Sequence, residues 1–184
     1  MTANTANKKG YLLPNLRAFT LIEMLMILVV LMSLLIFVVP AGRDFLGQHR
    51  AIAGANRIVG GLYLARSEAV HRGQKIIFCK SVDGKTCGGN WSDGQLILDE
   101  KGNVLRRFPA LPVQDTLIWN SSAGKDEKVE WLPTGFTNGQ RGTFYYCAGH
   151  SNATYSQAIV LLNTGRLYVS PIEVQDYAKY CPQG

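Results

Sequence analysis

An unbroken apolar run near the N-terminus, from Phe19 to Val39, dominates this sequence, and Glu23 is its only charged residue. As an α-helix the run would be about 32 Å long, against about 30 Å for the hydrocarbon layer of a bilayer. A secretory signal peptide is the alternative, but its apolar part is shorter and ends at a small-residue cleavage site. This run instead continues into Pro40-Ala41-Gly42. We therefore predict one membrane-spanning helix over 19–39.

Glu23 stands out in this run because a carboxylate near the middle of a bilayer costs about 2–3 kcal/mol. Two interpretations stay open. Glu23 is the fifth residue of the run, so it either lies at the level of the lipid headgroups or meets a cationic partner from another subunit.

The four cysteines, Cys79, Cys87, Cys147 and Cys181, all follow the apolar run. An oxidising compartment would allow them to pair, which favours a C-terminal part outside the cytoplasm. Cys79 with Cys87 would close a short loop, and Cys147 with Cys181 would hold the tail, although four cysteines allow three connectivities. The rival hypothesis is a metal site of Cys147, His150 and Cys181, but no paired C-x-x-C spacing supports it.

Beyond Pro40 an amphipathic helix is predicted over 40–72. Its apolar residues recur at steps of three and four, which places them on one face; they are Ala51, Ala55, Ile58, Leu62, Ala65 and Ala69. Arg43, Arg50 and Arg57 form a heptad line on another face. We expect this line to be solvated, with contact to acidic surfaces of neighbouring subunits as the alternative. Close packing of the helix on a sheet would explain Gly60-Gly61.

After Gly73 short β-type runs alternate with turn residues such as Asn138-Gly139. The predicted strands are Lys75–Cys79, Gln95–Asp99, Asn103–Phe108, Thr116–Asn120, Lys128–Leu132, Gly142–Cys147, Gln157–Asn163 and Arg166–Ser170. We predict an α+β fold, in which the long helix packs on a mainly antiparallel sheet or sandwich. We call this predicted β-rich domain, residues 73–184, the head, and we expect Trp91, Trp119 and Trp131 in its core.

The segment Arg17-Ala18-Phe19-Thr20-Leu21-Ile22-Glu23 resembles the prepilin peptidase site of type IV pilins and type II secretion pseudopilins. The resemblance implies a leader peptide over 1–18, cleavage between Ala18 and Phe19, and methylation of the new amino group of Phe19. It also implies that Glu23 pairs with the N-terminal amine of a neighbouring subunit. Family members usually have Gly before the cleavage site, where this chain has Ala18.

Motifs in the head resemble the FimT/FimU/GspH branch of the same family, and most closely its FimU-type minor pilins. They include Leu64-Ala65-Arg66-Ser67-Glu68, Leu132-Pro133-Thr134-Gly135 and Gly165-Arg166. The resemblance implies an inner-membrane protein with a cytoplasmic leader and a periplasmic head, which then enters a pilus or pseudopilus. Its partners would be other major and minor pilins, prepilin peptidase and the inner membrane.

No motif of a hydrolase, a zinc protease or a nucleotide-binding loop occurs, so we predict neither enzymatic activity nor a cofactor. The net charge is +6 over 184 residues. Removal of the leader, which holds three basic and no acidic residues, lowers it to +3, a weak indication for nucleic acid.

The resemblance favours a minor pilin that helps to initiate assembly of a type IV pilus. A minor pseudopilin of type II secretion and a DNA-binding pilin for transformation are the alternatives. DNA-capturing family members carry a basic Gly-Arg-x-Arg end, but here Tyr168 takes the place of the second arginine. If the chain bound DNA, Arg166 and Lys179 would contact phosphates, and Tyr168 would stack on bases. Nearby acidic residues reduce the positive charge, so DNA is not the favoured partner.

Overall fold

The structure is a computed structural model, which describes residues 20–122, 124, 127–149 and 155–181 without the side chains of 37–44. The chain divides into two compact units, Met1–Ala41 and Gly42–Gly184. Helix α1, Leu21–Arg72, begins in the first unit and ends in the second.

In the first unit, α1 exposes apolar side chains all around its axis. Every residue from Leu21 to Ile36 is exposed. The large apolar residues of this segment keep between 44% (Ile27) and 83% (Leu21) of their surface accessible. Among the described residues, no helix combines the length and the apolarity that a membrane crossing needs. The predicted span 19–39 reaches outside the described residues at Phe19 and at the side chains of 37–39, and it stays a prediction.

In the second unit, α1 packs one face on the head. The buried residues on this face are Ala51, Ala55, Ile58, Leu62, Ala65 and Ala69, none more than 1% exposed. The predicted apolar stripe is therefore confirmed. Its small alanine side chains let the helix backbone come close to the strands beneath it.

The described residues form eight strands, and each overlaps one predicted run. They are β1 Ile76–Lys80, β2 Gln95–Asp99, β3 Val104–Phe108, β4 Thr116–Ser121, β5 Lys128–Trp131, β6 Gly142–Cys147, β7 Gln157–Leu161 and β8 Leu167–Pro171. A short helix, α2 Val174–Tyr180, follows β8 and was not predicted from the sequence.

The strands form two antiparallel four-stranded sheets. Sheet 1 has the order β3-β2-β1-β5, and sheet 2 has the order β4-β6-β7-β8. The main core contains the buried face of α1 together with side chains from both sheets. The predicted α+β fold, with a long helix on antiparallel sheets, is confirmed.

Aromatic side chains join the two sheets inside this core. The ring of Trp91 lies 5.6 Å from that of Phe78 on β1 and 5.0 Å from that of Phe144 on β6, centroid to centroid. Trp119 on β4 stacks on Phe144 at 4.1 Å. The three tryptophans, Trp131 included, are at most 5% exposed, so their predicted place in the core is confirmed.

Two glycines of α1 lie under aromatic rings. A Cβ on Gly61 would lie 2.9 Å from Phe78 and 3.2 Å from Phe108, which confirms the close packing predicted there. Gly60 has nothing within 4 Å, so the same prediction is wrong for Gly60. The hydroxyl group and ring of Tyr146 pack directly on Gly54, a contact that was not predicted from the sequence.

Two disulfides are present, in one of the three connectivities that the sequence leaves open. Cys79 on β1 pairs with Cys87, and Cys147 on β6 pairs with Cys181 directly after α2. The first closes the loop after β1, next to a small apolar cluster on the outer face of sheet 1. The second ties α2 to the outer face of sheet 2, where a further apolar cluster forms.

Candidate assembly and binding surfaces

The residues of the predicted processing site, Ala18 and Phe19, lie outside the described residues. Glu23 lies inside them, exposed in the first turn of α1. Its backbone N–H donates to the carbonyl oxygen (3.1 Å) and to the side-chain Oγ1 (3.3 Å) of Thr20. Thr20 thereby caps the helix start.

Glu23 is the only charged residue in the exposed apolar segment Leu21–Ile36. The ion pairs among the described residues, Arg72 with Glu68 and Lys128 with Glu130, do not include it. A carboxylate in the first turn also interacts favourably with the helix dipole, typically by about 0.3–1 kcal/mol at an exposed site. Its proposed pairing with an amine of another subunit stays a prediction.

The arginine line of the amphipathic helix is not uniformly solvated. Arg50 is exposed, and the side chain of Arg43 lies outside the described part. Arg57, however, is half-buried, and its Nη2 donates to the carbonyl oxygen of Pro109 (3.0 Å) and to Oε1 of Gln95 (3.4 Å). Burial lowers the pKa of its guanidinium. For Arg57 the expectation of a solvated charge is wrong, because its long side chain reaches the polypeptide just after β3.

A hydrogen-bonded cluster lies beside Gly54, and the sequence analysis did not predict it. The hydroxyl group of Tyr146 donates to Oδ2 of Asp115 (2.5 Å), and Oδ1 of Asp115 accepts the N–H of Gly149 (2.9 Å). Burial is the main cause that raises the pKa of Tyr146, and the hydrogen bond to Asp115 raises it further. The signal that could have found this contact is the seven-residue spacing of Gly54 and Gly61, which puts both glycines on the same side of α1.

Arg66 connects three of the motifs that carry the family resemblance. Its Nη1 donates to the carbonyl oxygen of Gly165 (3.0 Å), in the turn between β7 and β8. Gly165 has a φ of +79°, and a Cβ there would lie 2.7 Å from Trp131 and collide with the carbonyl oxygen of Gly135. The motif around Arg66 and the turns at Gly135 and Gly165 therefore meet in one packed junction.

Two of the residues considered for DNA lie together on the surface. The guanidinium carbon of Arg166 is 5.7 Å from the ring centroid of Tyr168, which is 48% exposed on the edge strand β8. Lys179 lies on α2, where its ammonium is 4.9 Å from the ring centroid of Tyr180. The role of Arg166, Tyr168 and Lys179 in DNA binding stays a prediction.

Helix α2 is held on the outer face of sheet 2 by aromatic and polar contacts as well as by its disulfide. The ring of Tyr180 stacks on that of Tyr145 at 4.3 Å. The hydroxyl group of Tyr145 donates to Asp176 (3.3 Å), and Asn120 donates to the hydroxyl group of Tyr180 (2.9 Å). Burial and the nearby charge of Asp176 raise the pKa of Tyr145 to about 12.

The disulfide also bears on the rival metal hypothesis. Cys147 and Cys181 are bonded to each other, so neither offers a thiolate, and His150 lies outside the described residues. Among the residues that the structure describes, no group of three or more His, Cys, Asp and Glu is placed to hold a metal ion.

Comparison with known proteins identifies the family. Residues 54–165, all in the second unit, match the family model described as type II transport protein GspH. The sequence comparison with curated proteins gave no match.

Solved structures share the fold. The chain is similar to the type IV minor pilin FimU of Pseudomonas aeruginosa strain PAO1, at 20% identity and a TM-score of 0.54 over 69% of this chain and 92% of that one. It is also similar to the minor pseudopilin EpsH from the type II secretion system of Vibrio cholerae. That likeness has 16% identity and a TM-score of 0.50, over 68% of this chain and 97% of that one. At these identities the two likenesses concern the fold alone.

Proposed function

Because the chain belongs to the GspH family of type IV pilin-like proteins, we propose that it is a minor pilin of a type IV pilus, placed in the filament or its tip complex to help initiate assembly. Its role is structural and not enzymatic. Residues 1–18 form the leader, 19–39 the membrane and filament-core segment, 40–72 the amphipathic helix and 73–184 the periplasmic head.

The observation that carries this proposal is the apolar surface of Leu21–Ile36, which is exposed all around the helix. Contiguous apolar patches above a few hundred Å² are rare on monomeric soluble proteins and mark surfaces for membranes or partners. Since the neighbouring residues of the second unit have their own well-buried core, this segment is not needed to fold the head. It serves to bind first lipid and then the helices of other pilins.

In the proposed assembly, Glu23 makes the specific polar contact of this segment. A carboxylate that moves from the membrane into a bundle of apolar helices loses its water, and a cationic partner offsets this loss. In the proposed assembly, the partner is the methylated amine of Phe19 in an adjacent subunit, freed when prepilin peptidase cuts after Ala18.

A minor pseudopilin of a type II secretion system is the alternative for the same surfaces. FimU and EpsH represent the two systems, and their TM-scores of 0.54 and 0.50 are close. The disulfide that holds the C-terminal tail favours a pilus subunit over a pseudopilin. DNA capture is less favoured, because Glu173 and Asp176 lie close in sequence to Arg166 and Tyr168.

The test is deletion of the gene and complementation with the full chain in the bacterium that makes it. We expect loss of surface pili and of twitching with secretion unchanged, and recovery of both on complementation. Mass spectrometry of the complementing protein should find Phe19 as its first residue, with one added methyl group. Loss of secretion with pili intact would favour the pseudopilin, loss of transformation alone would favour DNA capture, and an uncut Met1 would contradict both filament roles.

A further inference from the structure

The two disulfides of the head differ in their exposure to solvent. Cys87 is exposed in the loop between β1 and β2, whereas its partner Cys79 is fully buried. In the second disulfide both residues are buried, since Cys147 is 5% and Cys181 is 2% exposed. Thiol–disulfide exchange begins when an external thiolate attacks a sulfur atom of the bond, so its rate depends on access to that atom. In the folded head, the first disulfide is therefore the accessible one.

The loop between β1 and β2 holds its shape through hydrogen bonds of its own. The carboxylate of Asp83 accepts the backbone N–H groups of Lys85 and Thr86, each at 2.8 Å. The N–H of Gly88 donates to the carbonyl oxygen of Lys80 (2.9 Å), at the end of β1. None of these bonds involves a sulfur atom, so they order the loop before and after the S–S bond opens. The loop therefore does not need the disulfide to present its cysteine to solvent.

Positive charges flank Cys79 on the outer face of sheet 1. Lys128 on β5 is its direct cross-strand neighbour, and directly opposite side chains share a face, with Cβ atoms about 4.5–5.5 Å apart. Leu96 on β2 separates Cys79 from Arg107 on β3 in the same row of the sheet. The Nε of Arg107 donates to the carbonyl oxygen of Gly84 inside the loop (2.6 Å). Apolar burial disfavours a thiolate and nearby cations favour it, so these two cations help Cys79 to leave as a thiolate.

We propose that Cys87 is a thiol–disulfide exchange site, at which an external dithiol reduces the Cys79–Cys87 bond of the folded head and leaves Cys147–Cys181 intact. Dithiols of this kind are small molecules or the Cys-X-X-Cys active sites of thiol–disulfide oxidoreductases. Opening of the first bond removes the covalent link between the loop and β1, while α2 stays tied to β6. The exchange site stands independently of the proposed function, because it uses residues of the head alone.

The exchange takes two steps. In the first, one thiolate of the dithiol forms an S–S bond with Sγ of Cys87, the Cys79–Cys87 bond breaks, and Sγ of Cys79 takes its electron pair. In the second, the other thiolate of the dithiol attacks its own sulfur partner in this mixed disulfide, which releases Cys87 as a thiolate. The dithiol is thereby oxidised to a disulfide, and the two cysteines are reduced by two electrons. They take up the two protons that the dithiol has lost.

Limited reduction of the full-length protein in detergent micelles is the direct test. Dithiothreitol opens the disulfides for increasing times, iodoacetamide blocks the thiols that appear, and mass spectrometry of the peptides gives the opened fraction of each bond. We expect Cys79 and Cys87 to be alkylated at least about tenfold faster than Cys147 and Cys181. Equal rates, or faster opening of Cys147–Cys181, would overturn the proposal. The same selectivity with reduced thioredoxin assigns the site to protein dithiols, and selectivity with dithiothreitol alone assigns it to small ones.

Lys128 gives a second test, because it is the cation directly opposite Cys79. Lys128→Gln should slow the opening of the first disulfide by about three- to tenfold and leave the second unchanged.

Lys75→Gln is the matched control. The Nζ of Lys128 lies 2.9 Å from Oε1 of Glu130, and the charge of Lys75 also acts on Glu130, but Lys75 lies before β1, four residues from Cys79. We expect this control to react like the wild type. A variant that is merely less stable would open both disulfides faster, so the ratio of the two rates is the quantity to compare. An unchanged ratio in Lys128→Gln, or an equal change in both variants, would contradict the part assigned to this cation.

Discussion

Arg66 on the long helix donates a hydrogen bond to the carbonyl oxygen of Gly165, a residue 99 positions later in the chain, at 3.0 Å. The bond joins the helix to the turn that leads into the edge strand β8. A charged donor makes a stronger hydrogen bond than a neutral one, and its loss leaves the Gly165 carbonyl half-buried without its partner. The junction therefore stabilises the head beyond what its apolar contacts supply.

We expect Arg66→Met, which keeps the apolar stem and removes the donor, to lower the free energy of unfolding by about 1.5–3 kcal/mol. Arg72→Met is the control, since the contact of Arg72 within the described part of the chain is an exposed ion pair with Glu68, and it should change stability by less than about 1 kcal/mol. Urea unfolding followed by tryptophan fluorescence measures both, because all three tryptophans are buried in the head. Equal effects of the two substitutions would contradict the role of the junction.

Glycines of the same helix should respond to alanine in opposite directions. Gly54→Ala places a methyl group against the ring of Tyr146, and overpacking of this kind typically costs about 1–3 kcal/mol. Gly60→Ala meets nothing within 4 Å, so its higher helix propensity should raise the free energy of unfolding by about 0.5–1 kcal/mol. Urea midpoints of the two variants provide the comparison, and a shift in the same direction would show that the packing at Gly54 is looser than described.

Most of the fold could be predicted because periodicity reports which side of an element is buried. The stripe from Ala51 to Ala69 and all eight strands follow from spacing and turn residues alone. Helix α2 could not be predicted in this way. It has only seven residues, and it depends on the Tyr145–Tyr180 stack and on the disulfide that joins its end to β6.

The candidate sites, too, could be predicted from the sequence only in part. Glu23 stands out in sequence because it is a lone charge in an apolar run. The partners of Arg66 and Arg57 are backbone carbonyls, at Gly165 and Pro109, and a carbonyl carries no residue-specific signal. Such contacts become visible only when the chain has folded back on itself.

The two disulfides should differ in what they stabilise. By the chain-entropy model, loss of the Cys147–Cys181 bond, which closes 34 residues, costs about 4 kcal/mol, against about 2.5 kcal/mol for the 8-residue loop of Cys79–Cys87. The double variant Cys147→Ser/Cys181→Ser should also free α2, so that trypsin cuts after Lys179 faster than in the wild type. Cys79→Ser/Cys87→Ser serves as the control and should leave that cleavage unchanged. Slow cleavage in both would mean that the aromatic contacts hold α2 without the disulfide.

Alkaline pH should destabilise the head through Tyr145. Its folded-state pKa is raised to about 12 from an ordinary value of 10.0, so the folded state keeps a proton that the unfolded chain releases. The stabilisation is complete below about pH 10 and is lost as the pH rises towards about 12. We expect Tyr145→Phe to flatten the fall in unfolding free energy over this interval, whereas Tyr168→Phe, at an exposed position, leaves it unchanged. Urea unfolding at several pH values tests this, and identical slopes for the two variants would argue against Tyr145 as the cause.

Glu23→Gln should separate membrane insertion from assembly. The substitution removes the charge and keeps the shape, so the apolar segment enters the membrane at least as well as before. In a filament, however, the amine of Phe19 in the neighbouring subunit would lose its carboxylate and stay buried without a counter-charge, which is strongly destabilising. We therefore expect normal amounts of the variant in the membrane fraction and at least about tenfold less in sheared filaments, by immunoblot. Glu100→Gln, at an exposed turn of the head, is the matched control and should enter filaments like the wild type. Normal incorporation of the Glu23 variant would leave this carboxylate with only its local place at the helix start, beside Thr20.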